Sequence, residues 1–219
     1  LESALTRAGT PSAGGVRLGG SVLAGLRDVV RTPTLRTIAI YVLLYTATST
    51  VLYVVQGSIV RDAFPERDAR TAYFASLDLA VSLLALTLQL GLTRVLLVRL
   101  PVAAVLMILP VATIGVLATL GARPTLAVLT AVQVARRALE HAIAKPGREL
   151  LYDRADREVK LKGQNAVDTA VYRAGDMVSG WLVAGLGALG MVGGGLLLAF
   201  VPIAVVWTWF AGRIAPREG

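Results

Sequence analysis

Thr37-Ile-Ala-Ile-Tyr41-Val-Leu-Leu-Tyr45-Thr-Ala-Thr-Ser49-Thr50-Val-Leu-Tyr53-Val-Val-Gln56-Gly-Ser-Ile-Val60 runs for 24 positions without a charged residue. A bilayer core asks for about 20 mostly apolar residues per helix, so this stretch is long enough to cross one. Three others resemble it. Thr71 to Thr93 carries one charge, Asp78, and Leu100 to Ala122 carries none. Met177 to Gly212 is uncharged over 36 positions, too long for one helix, and its glycines predict a turn near Gly187–Gly190. The wider composition agrees. The 219 residues are 55% hydrophobic and 16% charged, with mean hydropathy +0.67, whereas soluble domains run about a quarter charged. A disordered chain would be polar, and the basic residues gather on no single face that nucleic acid would require. The absence of Cys and the single His exclude disulfides and thiolate or histidine metal clusters.

Two further segments are interrupted by charges. Pro124 to Ala135 is uncharged and is followed by Arg136, Arg137, Glu140 and His141, and a polar-faced helix must begin near Gln164 to precede the last turn. The expected spans are 35–60, 72–97, 101–121, 124–150, 164–186 and 190–212, all helices, because barrel strands would alternate over about 10 residues. Charge supports six. Of the 22 basic residues, 15 fall at span ends or in loops on the side of the N-terminus, 4 on the other side, and 3 (Arg136, Arg137, Arg173) deeper within spans. That bias predicts a cytoplasmic location for both termini. Residues 1–20 read as a flexible linker from a longer protein, 21–34 as a cytoplasmic amphipathic helix, 35–214 as the bundle and 215–219 as a cytoplasmic tail. Three spans followed by three predict an inverted repeat, the arrangement of each six-helix half of a major facilitator transporter.

Ionisable residues within spans mark function more often than not. Asp78 reads either as a proton- or substrate-coupling group, or as a carboxylate that is buried and hydrogen-bonded or paired with an arginine of a neighbouring helix. Thr130, Gln133, Arg137, Glu140, His141 and Arg148 fall at helical spacing and predict a polar face toward the bundle interior, with Arg136 and Arg137 three or four residues from Glu140. Asp168, Tyr172 and Asp176 step by four beside Arg173, as a helix lock or a substrate contact. Arg137 and Arg173, with Arg136 and Glu140 beside them, are the candidate pathway residues, since a guanidinium fork fits carboxylate and phosphate oxygens. Gly190 with Gly194, and Gly180 with Ala184, predict close helix approach. No phosphate-binding glycine loop and no catalytic constellation is present, so neither an ATPase nor another enzyme is expected, and no cofactor or metal.

The segment Lys145-Pro-Gly-Arg148-Glu149-Leu-Leu-Tyr152, then Glu158-Val-Lys160-Leu-Lys162-Gly163-Gln-Asn-Ala-Val-Asp168, then Arg173-Ala-Gly-Asp176 and Ser179-Gly180, resembles the ATP/ADP translocase family of nucleotide transporters and its bacterial relatives. The likeness covers about 35 residues of the chain, from Arg148 to Gly180. It implies the C-terminal six-helix half of a 12-helix major facilitator fold in a bacterial inner membrane, completed by an N-terminal half, and antiport of nucleotides. By motif position it also implies family-typical roles for Arg148, Glu149, Lys160, Lys162, Gly163, Asp168 and Arg173. Two places depart from the pattern: Asp176, where the nucleotide exchangers tend to carry a basic residue, and the Lys145–Arg148 stretch. The other expectations are a proton-coupled transporter of a different metabolite, with Asp78 or Asp176 as coupling group, and a non-transporting membrane anchor or sensor.

Overall fold

A computed structural model describes residues 27, 29–153 and 163–214. The linker at 1–20, half of the amphipathic segment at 21–34, Lys160, Lys162 and the tail at 215–219 lie outside the described residues. Of the amphipathic segment, Val29–Arg31 are helical, with Val29 buried and Val30 exposed. The described residues form an all-helical bundle without strands. Four helices are long and apolar enough to cross a membrane: α1 (Pro33–Ala63), α2 (Arg67–Arg99), α3 (Val102–Ala122) and α6 (Gly193–Gly212). Between α3 and α6 run α4 (126–152) and α5 (163–188). These stand where the fourth and fifth spans are expected. Composition alone does not qualify them, because polar and charged residues break their apolar runs.

The ends follow from local chemistry. Pro33 opens α1, where its missing N–H costs nothing and its fixed φ suits a first turn. The Thr125 side chain caps α4 by accepting from the Val128 N–H. The turn between α5 and α6 requires glycine at Gly190 and Gly193, whose φ values are +85° and +53°. Pro202 does interrupt α6, which breaks at Phe200. Pro110 leaves α3 continuous, yet it has no N–H for the Leu106 carbonyl one turn back. The Tyr41 hydroxyl of α1 donates to that carbonyl instead, at 3.1 Å.

Three helices contain a π turn: α2 at Gln89–Thr93, α4 at Glu140–Ala144 and α5 at Val167–Val171. In α4 the cause is visible in the sequence. Pro146 gives no N–H to the turn before it, and the carbonyls there accept from α2: Gln89 Nε2 to His141 at 3.2 Å and Thr93 Oγ1 to Ala142 at 2.8 Å.

Helix α1 packs on α5 and α6, α2 on α4, and α3 on α4 and α6. The core has two main parts. One gathers Leu35, Tyr41 and Tyr45 around the fully buried Trp207, whose ring meets Tyr41 edge-on at 5.2 Å. The other gathers Leu52, Leu117, Leu129 and Phe200 toward the opposite end. Close approach occurs where Gly194 lies against the Gly121 backbone, and where Gly175 faces Thr46. The expected Gly180–Ala184 contact is absent: a methyl at Gly180 would meet nothing. Gly190 likewise has open space and serves the turn.

Candidate functional site

A cavity of about 740 Å³ opens between α1, α2, α4 and α5. Its α1 wall comes from polar residues one helical face apart: Tyr45, Ser49 and Gln56, at steps of four and seven. Gln133, Arg136, Arg137 and Glu140 of α4 face them. Asp78 of α2 and Asp176 of α5 complete the charged lining.

Arg136 sits at the centre of the polar network and is 4% exposed. Its Nη2 donates to Ser49 Oγ at 2.5 Å and its Nε to Thr113 Oγ1 at 3.3 Å, so it ties α4 to α1 and α3. The guanidinium also lies 5.5 Å from the Tyr45 ring centroid, within cation–π reach. No carboxylate of the described residues lies within 4.0 Å of it. A buried ion costs several kcal/mol in desolvation unless it is paired and fully hydrogen-bonded. Two hydroxyls use two of the five guanidinium N–H groups, which leaves three for an anion. One turn toward the N-terminus, Gln133 Nε2 donates to Gln56 Oε1, and Gln133 Oε1 is buried without a partner among the described residues.

Arg137, the expected pathway cation, is already engaged. It donates to Asp78 Oδ1 at 2.7 Å across the α2–α4 boundary. Asp78 therefore has the arginine partner that one of its two readings foresaw. Glu140 pairs with neither neighbouring arginine and lines the cavity with Tyr45. Asp176 Oδ1 accepts from the Thr50 hydroxyl at 3.2 Å.

The expected lock on α5 is not formed. Among the described residues Arg173 pairs with neither Asp168 nor Asp176. It is exposed and lines no described cavity, so it does not stand with the pathway residues. Arg173 and Asp176 both lie on the regular stretch Tyr172–Ala188. The π turn at Val167–Val171 adds a residue to one turn and shifts the helical phase there by about 100°, and Asp168 and Asp176 line different cavities while Tyr172 borders both. Asp168 turns toward a second cavity of about 420 Å³, with Lys145, Arg148, Glu149 and Tyr152, and only Glu140 and Tyr172 border both cavities. Glu149 accepts from Gln164 at 3.0 Å, and the buried Tyr152 hydroxyl has no partner among the described residues. Gly163 lets the start of α5 lie against Leu35. His141 stays half-buried, its Nδ1 without a partner among the described residues.

Sequence reading thus missed the α1 wall and preferred Arg137 to Arg136. The available signal was spacing. Leu129, Gln133 and Arg136 step by four and three along the buried face of α4, and Tyr45, Ser49 and Gln56 step by four and seven on α1. No family model, curated protein or solved structure matches this chain.

Proposed function

We propose that this chain is half of a multi-pass secondary transporter that moves an organic anion by alternating access, with Arg136 as the anion anchor. The observation that carries the reading is a buried guanidinium with no carboxylate within 4.0 Å, facing an open polar cavity. Helix packing supports the architecture. Exchanging α1, α2 and α3 with α4, α5 and α6 leaves the principal set of helix neighbours unchanged, as an inverted 3+3 repeat requires. On this reading α4 and α5 also span the membrane. Their polar faces turn to the transport path, which is why their hydropathy is low. Both termini are cytoplasmic in a bacterial inner membrane, and an N-terminal six-helix half closes the cavity.

The resemblance over Arg148–Gly180 favours nucleotides as the exchanged anions. The test is exchange of labelled AMP, ADP, ATP and small carboxylates by the full-length protein in proteoliposomes. Arg136→Gln abolishes exchange of whichever anion is carried, while the protein remains folded by circular dichroism. Undiminished exchange in that variant sinks the assignment of Arg136.

A further inference from the structure

The charges around the main cavity suggest what kind of anion it takes. Five ionisable side chains with full charges line it: Asp78, Arg136, Arg137, Glu140 and Asp176. Asp78 and Arg137 neutralise each other at 2.7 Å. One cation and two carboxylates remain, the cation sharing α4 with one carboxylate while the other stands on α5. Arg136 is buried on α4, Glu140 lies one turn along the same helix beside Tyr45, and Asp176 projects from α5. A polyanion anchored at Arg136 would stand against both carboxylates, and like charges in a site of low dielectric are costly. A simple monocarboxylate would satisfy Arg136 and leave the carboxylates unanswered.

We infer that the cavity takes a small zwitterion, its carboxylate on Arg136 and its ammonium toward Asp176 and Glu140. The inference rests on the organic-anion reading and narrows it to amphoteric compounds, at the expense of nucleotides. The aromatic rings around the charges suit such a ligand. Tyr45, Tyr172 and Phe74 border the cavity, and aromatic faces attract an ammonium group. The unpartnered Gln133 Oε1, on a side chain 4% exposed, offers a further acceptor at the wall beside Arg136.

The probes are ω-amino acids from glycine to 6-aminohexanoate, each with its matched carboxylate and matched amine, together with AMP. Binding to the detergent-solubilised full-length protein is measured by calorimetry. The best amino acid should bind about tenfold more tightly than its matched carboxylate or amine, the ratio that one charge-assisted hydrogen bond supplies. Asp176→Asn, at an exposed position, should bring the amino acid down to the level of the carboxylate. Arg136→Gln should bring it down to the level of the amine. A carboxylate or AMP that equals the best amino acid overturns the zwitterion assignment. So does an Asp176→Asn and Glu140→Gln pair of variants that both leave the ratio unchanged. If that anion still depends on Arg136, the organic-anion reading survives. If no anionic member of the set binds, both readings fall.

Discussion

Replacing Arg136 with methionine should leave the protein as stable or make it more so. Methionine matches the length of the arginine stem and adapts to irregular space. Its loss column is short. The guanidinium makes bonds of 2.5 Å to Ser49 and 3.3 Å to Thr113 and one ring contact with Tyr45. The hydroxyls it leaves behind are not stranded. Thr113 keeps its 2.8 Å bond to the Leu109 carbonyl, and Ser49 can turn to a carbonyl of its own helix. Against this stands the desolvation of an ion that is 4% exposed. Replacing buried ionic groups with apolar residues of similar volume is often neutral or stabilising by about 1–4 kcal/mol. A value near 2 kcal/mol corresponds to about 4–8 °C in melting temperature for a domain of this size. The assay is thermal unfolding of the full-length protein in detergent, with anion binding measured in parallel. Binding should vanish while the melting temperature holds or rises, as expected where a site is maintained at the expense of stability. A fall equivalent to more than about 1 kcal/mol would refute the reasoning, because Arg136 would then be a structural cation compensated by Glu140.

Other expectations are simpler to test. Gly194→Val drives a side chain into the Gly121 backbone and should destabilise by about 2 kcal/mol or more, whereas Gly180→Ala meets open space and should be neutral or stabilising by up to about 1 kcal/mol. Thermal unfolding distinguishes them. The Asp78–Arg137 pair is partly exposed, with side chains 61% and 32% accessible, so a double-mutant cycle to Asn and Gln should return no more than about 1 kcal/mol. Because the chain has no Cys, single cysteines at Glu66 and Arg123 can be labelled with a membrane-impermeant maleimide on intact cells. Label should reach both, and should reach a cysteine at Arg99 only after lysis; the reverse pattern overturns the orientation.

Four helices long and apolar enough to cross a membrane were legible because a run of 20 or more residues with at most one charge has few other uses. The helices at 126–152 and 163–188 were harder to read, since burial against other helices lets them carry Gln133, Arg136, Asp168 and Asp176. Their existence was read from the uncharged run at 124–135 and from a last uncharged stretch too long for one helix, with the alternation of basic loops as a check. What could not be read was helical phase. A period of 3.6 holds only while the helix is regular, and Asp168 lies within the π turn at Val167–Val171. Tyr172 therefore shares one cavity with Asp168 and the other with Asp176, and the two carboxylates do not meet in either. The choice between Arg137 and Arg136 turned on a different signal. Both are adjacent on a regular stretch, and only the buried neighbours Leu129 and Gln133 indicate which one faces inward.

Pro110 and Pro146 carry a consequence for how such a chain can change over generations. Each proline leaves a carbonyl without its usual donor, and a side chain of a neighbouring helix, Tyr41 or Thr93, supplies the replacement. In lipid no water stands ready to take either role. Losing the hydroxyl strands a carbonyl, and losing Pro110 makes a backbone donor compete with the Tyr41 hydroxyl, while Thr93 would keep the Leu88 carbonyl at 3.2 Å. The two positions of each pair therefore form one inherited unit, 69 residues apart in one case and 53 in the other. Descendants of this sequence should keep both members or replace both together.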